Sequence, residues 1–153
     1  MVDPKELISD FIKAAALAGI QMPMNCISHE VLPAPHNAPR NLQQGKMAVY
    51  VFSWKGPCLR VGKVGTRSQA RYTSQHYNAG SSNSNVAKSI LKDQVAMGIS
   101  GLSEANIGEW IRKNTDRINF IMDEEVGVPV LSLLETFLQC RLKPKYEGFE
   151  SQK

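Results

Sequence analysis

The sequence predicts an α/β (α+β) domain with a small three-stranded central sheet flanked by helices. Three observations predict it. Residues 47–53 (MAVYVFS) and 58–64 (CLRVGKV) are runs of strand-forming residues joined by the short turn Trp54-Lys55-Gly56-Pro57, the pattern of a hairpin. Residues 118–122 form a third such run. Elsewhere apolar residues recur at helical spacing, most clearly Leu131, Leu134, Leu138 and Leu142. With 153 residues, 42% of them hydrophobic, the chain is one domain by length and needs neither disulfides nor metal to bury a core.

The elements follow in order. Asp3-Pro4-Lys5-Glu6 starts a helix: Asp3 caps, Pro4 suits the first helical position, and Glu6 gives a capping-box spacing. Leu7, Ile8, Phe11, Ile12 and Ala15 share one face, and Gly19 ends it. Residues 21–46 carry Pro23, Pro33, Pro35 and Pro39 without a sustained period, so 1–46 is expected to be a helix and an irregular arm anchored by Ile27, Val31 and Leu32. A domain over 47–148 and a tail over 149–153 follow. In the first strand, alternation puts Tyr50 and Phe52 on one face and Val49 and Val51 on the other. Helices are expected over 67–78, over 85–97 after a flexible break at 79–85, and around Ile107, Trp110 and Ile111 with Ser103 as cap. A turn at Asp123-Glu124-Glu125 leads to a last helix over 130–142.

Composition narrows the function classes. Cys26, Cys58 and Cys140 are odd in number and far apart, with no CxxC, which points to a reducing, cytoplasmic setting rather than a disulfide framework. No apolar run is long enough for a membrane span, and the N-terminus lacks a signal peptide's basic start. Net charge is +4. It is unevenly spread: from Lys55 to Lys92 there are seven Lys or Arg and no Asp or Glu, with Trp54, Tyr72 and Tyr77 nearby. Such a stretch attracts phosphate backbones, or is simply a solvated basic face. His29, His36 and Cys26 lack a zinc spacing, and there is no GxxxxGK[ST], GxGxxG or GxSxG.

The residues suited to chemistry are spread in a definite order. Ala48-Val49-Tyr50 lies in the first strand, and Arg60-Val61-Gly62, then Lys63, in the second. Arg71 follows in a helix, and Glu135 sits among the leucines of the last helix, ahead of Pro144-Lys145-Tyr146-Glu147. In this order the motifs resemble those of the GIY-YIG nuclease superfamily over roughly 47–148. The resemblance implies a metal-dependent endonuclease acting on DNA. Tyr50 would activate water, which requires its phenol pKa to fall toward neutral. Arg71 would clamp the phosphate, with Arg67 one turn earlier as its rival. Lys63, Arg67, Tyr77 and Lys88 would contact substrate. His76 would orient water or bind phosphate, although relatives carry their aromatic nearer Gln75. Glu135 would hold Mg²⁺ (or Mn²⁺), which takes one or two carboxylates plus water and phosphate. The alternative for Glu135 is a flanking surface glutamate or an ion pair with Arg141 or a neighbouring lysine.

Two positions depart from the family. Arg60 replaces the second tyrosine, and Glu147 replaces the final asparagine. Arginine is no base at neutral pH, but it can depress the pKa of Tyr50 or bind phosphate. The alternative function is therefore a catalytically silent nucleic-acid-binding module on the same fold, and a third is a domain for an acidic protein partner. Substrate reading is expected from the arm (Arg40, Lys46), the 79–85 loop, or pairing of two copies as a homodimer.

Overall fold

The computed structural model describes residues 2–23 and 25–146. Glu147 and the expected tail at 149–153 lie outside the described residues. The architecture is mixed α+β. A four-stranded antiparallel sheet in the order β1-β4-β2-β3 is covered by helices on both faces. Its strands are β1 (Ile27–Leu32), β2 (Lys46–Ser53), β3 (Cys58–Val64) and β4 (Asp116–Asp123). The helices are α1 (Pro4–Leu17), α2 (Gln69–Thr73), α3 (Val86–Asp93), α4 (Ile107–Asn114) and α5 (Val128–Leu142). No helix among the described residues is long and apolar enough to cross a membrane.

The sheet has one strand more than the sequence suggests. Residues 27–32, expected to be irregular, pair with β4 along their whole length. Their sequence, ISHEVL, hides the strand because only Ile27 is buried. An edge strand with half its side chains in solvent has no continuous apolar signal. The hairpin of β2 and β3 forms as expected, with a register shift at Phe52/Ser53.

Registers across the four strands define rows of side chains. One row runs Gly62, Tyr50, Asn119, Glu30, and the next Arg60, Phe52, Arg117, Leu32. Both face α2, α3 and α4, where Tyr72, Tyr77, Val86, Ile90, Ile107 and Ile111 complete a core. On the opposite face, the row Lys63, Val49, Phe120, His29 meets α1 and α5 through Leu7, Phe11, Leu131, Leu134 and Leu138.

Capping chemistry explains most helix ends. The Asp3 carboxylate accepts from the Lys5 N–H, and Pro4 occupies the first turn of α1. Ile20 N–H returns to the Ala15 carbonyl with Gly19 at φ +80°, a Schellman closure. Asn85 caps α3 by accepting from Lys88 N–H at 2.7 Å. Ser103 does not cap α4, which begins at Ile107 after Asn106. Instead the Ser103 N–H donates to Asn106 Oδ1.

The helix expected over 67–78 is broken. After α2, a 3-10 turn spans Gln75–Tyr77. The Thr73 and Ser74 hydroxyls donate back to the Gln69 and Ala70 carbonyls, competing with the helical ladder where it ends. The tighter turn lets His76 and Tyr77, adjacent in sequence, both reach the core. The 79–85 segment, expected to be flexible, is tied down. Ala79–Ser81 is a 3-10 turn, and the buried Asn85 amide donates to the Asn78 carbonyl.

Candidate functional site around the edge of strand β3

The sequence-derived site residues fall into two groups around the sheet edge formed by β3. On the face toward α2 and α3 stand Tyr50, Arg60, Arg71 and His76. On the face toward α5 stand Lys63 and Glu135. The strand alternation that separates Gly62 from Lys63 also separates the groups.

Tyr50 is 1% exposed. Its hydroxyl lies beneath Gly62: a Cβ at residue 62 would come within 2.2 Å of it. The ring meets His76 at 4.5 Å and Phe52 at 5.9 Å between centroids. Burial raises the phenol pKa, and the charges of Arg60, Arg71 and Arg117 pull it back only in part. The lowered pKa expected of a water-activating tyrosine is therefore not what these surroundings produce.

Arg60 is half-buried, and its Nη1 donates to Ser84 Oγ at 2.9 Å. Its Nε–H is buried without a partner among the described residues. His76 is 2% exposed. The Val86 N–H donates to its Nδ1 at 3.2 Å, so the neutral ring carries its proton on Nε2. That nitrogen is also buried without a partner among the described residues. Burial holds the His76 pKa well below the ordinary range, with Arg60, Arg117 and Arg71 adding to the effect. Arg67, Arg71 and Lys88 are exposed. With Arg60 they form no ion pair among the described residues, so this rim carries uncompensated positive charge. Tyr77, expected to touch substrate, is instead buried in the core.

On the other face, Lys63 Nζ donates to Glu135 Oε2 at 2.8 Å. The Glu135 partner is thus a lysine from β3, and Arg141 pairs with Asp10 on α1. Among the described residues no group of three or more His, Cys, Asp or Glu converges on a metal-sized site. One carboxylate fits Mg²⁺ only where phosphate and water complete the shell. Glu135, 18% exposed along its side chain beside the cationic strand edge, fits an ion shared with substrate rather than one held by protein alone.

Just past α5 the chain returns along the edge. Lys145 and Tyr146 N–H groups donate to the Cys58 and Leu59 carbonyls at 3.1 and 2.8 Å. The Tyr146 hydroxyl donates to Asp93, which also pairs with Lys145. This covers the start of β3. The Cys58 thiol is pushed up to about 12 by burial and is unreactive.

A buried polar network behind Tyr50 escaped the sequence reading. Arg117, 0% exposed, donates through Nε to Asn119 Oδ1 (2.8 Å), through Nη2 to the Tyr72 carbonyl (2.7 Å) and through Nη1 to the Tyr77 hydroxyl (3.3 Å). Asn119 Nδ2 donates to Glu30 Oε2 at 3.1 Å. His36 Nδ1–H donates to the Thr115 carbonyl, and its Nε2 accepts from the Tyr77 hydroxyl, each at 2.9 Å. The available signal was Arg117-x-Asn119 at period two inside a strand, two polar residues on a core face.

The buried His76 and the half-buried His36 make stability pH-dependent. Burial is the main depressor of the His36 pKa as well as of His76. A depressed folded-state pKa means that stability is fully present above the unfolded histidine value of about 6.5 and is lost as pH falls through the folded values. Urea midpoints are therefore expected to drop progressively below about pH 6.5. In His36→Gln part of that fall disappears; an unchanged slope would count against it. Carboxylates held down by lysine, such as Asp93 beside Lys145, act only in a more acidic range.

Comparison with family models, curated proteins and solved structures finds no match to this chain.

Proposed function

We propose that the domain binds nucleic acid and hydrolyses phosphodiester bonds at the edge of β3, as a divergent relative of the GIY-YIG nucleases. The supporting observation is the meeting of Lys63 and Glu135 at 2.8 Å beside the strand that also presents Arg60, from elements 72 residues apart. A cation and a carboxylate so placed can hold a phosphate oxygen and a divalent ion side by side. Mg²⁺ or Mn²⁺ on Glu135, when bound, neutralises phosphate charge and acidifies water. Lys63 balances the carboxylate beforehand and is available to phosphate once an ion takes Glu135. Arg60 and Arg71 hold the substrate backbone, with Arg67 and Lys88 extending the basic surface. Tyr50 serves as a positioning residue: its ring fixes His76, and its hydroxyl fills the space that Gly62 leaves.

The test is incubation of supercoiled plasmid and single-stranded DNA and RNA with the protein and Mg²⁺ or Mn²⁺. Cleavage is expected, and Glu135→Gln is expected to reduce it by about 10²–10³-fold while leaving salt-dependent binding intact. Intact substrates that nonetheless bind would overturn hydrolysis. They would leave the second reading, a silent nucleic-acid-binding module, which the burial of Tyr50 and the Arg60 substitution favour.

A further inference from the structure

We propose that the cavity between the proline-rich segment 33–43 and the sheet binds one unstacked nucleobase of a single strand, guanine in preference to thymine. The proposal rests on the nucleic-acid reading above and names the part of the ligand that reading leaves open.

The cavity is an open cleft of about 730 Å³ on the same sheet face as Tyr50, at the opposite edge. Its floor is Glu30, Leu32, Ile121 and Tyr72, and its roof includes Pro35 and Pro39. The roof is anchored at both ends. Ala34 N–H donates to Asp116 Oδ1 at 2.9 Å, His36 N–H to the Arg112 carbonyl at 2.8 Å, and Leu42 N–H to Gln69 Oε1 at 2.9 Å. Those bonds hold the opening at a fixed width, as a preformed ligand site requires.

Among the polar residues of the lining, Glu30 is held in a defined geometry. Asn119 Nδ2 and the Tyr72 hydroxyl both donate to Glu30 Oε2, at 3.1 and 3.5 Å. Asn119 is itself fixed by Arg117. Oε1 accepts no bond among the described residues. An exposed carboxylate pinned on one oxygen, beside Leu32, Ile121 and the Tyr72 ring, suits a flat ligand with N–H donors on its edge. Guanine presents two adjacent donors, N1–H and the N2 amino group, whereas thymine presents a single imide N–H between two carbonyls that repel the carboxylate. Bases turned out of the stack are read on this edge, against apolar and aromatic walls.

The position of α2 links this cavity to the basic rim. Tyr72 lines the cavity, and its neighbour Arg71 is exposed near Tyr50 and His76. A strand bound at the basic rim would have to follow α2 to reach the mouth of the cavity. Arg40 lines that mouth unpaired among the described residues, while Lys46 is held by Asp123 at 2.6 Å.

The test measures fluorescence anisotropy of labelled single-stranded dT oligonucleotides, with and without one central guanine, in EDTA so that no cleavage intervenes. Wild-type protein is expected to bind the guanine-containing strand about tenfold more tightly. Glu30→Gln is expected to abolish that ratio while keeping affinity for the dT strand. Ser28→Phe, which fills the cavity from an exposed position outside the hydrogen-bond network, is expected to do the same. Equal binding of the two strands by wild type, or a ratio unchanged in both variants, overturns the proposal alone. Selective binding by a protein that cleaves nothing overturns only hydrolysis. Binding of neither strand at low salt overturns both.

Discussion

Arg117→Met is expected to cost about 3–5 kcal/mol of folding stability, the range for removing one member of a buried charged network. The Arg117 guanidinium lies 5.0–5.4 Å from the ring centroids of Phe52, Tyr72 and Tyr50, and 5.9 Å from that of Tyr77. It is fully buried and pairs with no carboxylate among the described residues; Asn119 bridges it to Glu30. Ring faces and three hydrogen bonds replace the lost hydration. Methionine approximates the volume but orphans Asn119 Oδ1 and the Tyr72 carbonyl, each a buried acceptor. Full replacement of a buried polar network by apolar groups can be neutral, but one-sided removal is not. Arg117→Lys keeps the charge yet lacks the planar fork that serves three acceptors, so it is expected to fall well short of wild type. Urea unfolding decides it: with m near 1–3 kcal/mol/M, the Met midpoint drops by about 1 M or more. A loss under about 1 kcal/mol would show the network to be dispensable.

Gly62→Ala is expected to be nearly as damaging, at the upper end of the about 1–3 kcal/mol typical of overpacking. The new Cβ would sit 2.2 Å from Tyr50 Oη and 2.4 Å from Cζ. Tyr50 cannot retreat, because Phe52, His76 and Asn119 surround it within one sheet face. Tyr50→Phe removes only the hydroxyl and leaves the ring carbon in contact. The double variant is therefore expected to recover part of the loss, and Gly62→Ala with Tyr50→Leu more. Thermal midpoints of the three proteins check the order. Equal stability of Gly62→Ala and wild type would mean that Tyr50 has another resting place. Gly62 has no positive φ, so the demand for glycine here is one of space and not of backbone conformation.

Legibility in the sequence followed burial contrast. The β2–β3 hairpin announced itself because Ala48, Tyr50 and Phe52 alternate with Met47, Val49 and Val51 between two apolar cores. Helix α5 did so through Leu131, Leu134 and Leu138. Strand β1 did not, since an edge strand buries too little for periodicity to register. Of the site, the sequence put forward Tyr50, Arg60, Arg71 and His76 as members, and for Glu135 an ion pair with Arg141 or a neighbouring lysine as the alternative. Its actual partner, Lys63, was not foreseen, because 72 residues separate them. The placement of the two groups on opposite sheet faces was also hidden, because it depends on where α5 packs.

By itself the sequence determined the β2–β3 hairpin, strand β4, helices α1 and α5, the two-faced character of β2 and the one-signed charge of residues 55–92. These are local properties, set by period, capping and composition within a few residues. Tertiary structure alone decided the protonation environment of Tyr50, the pairing of Glu135 and the burial of Arg117. It also decided the cavity above Glu30. Each depends on desolvation and on partners supplied by distant strands, and the free energy of a charge is fixed by what surrounds it in space rather than in sequence.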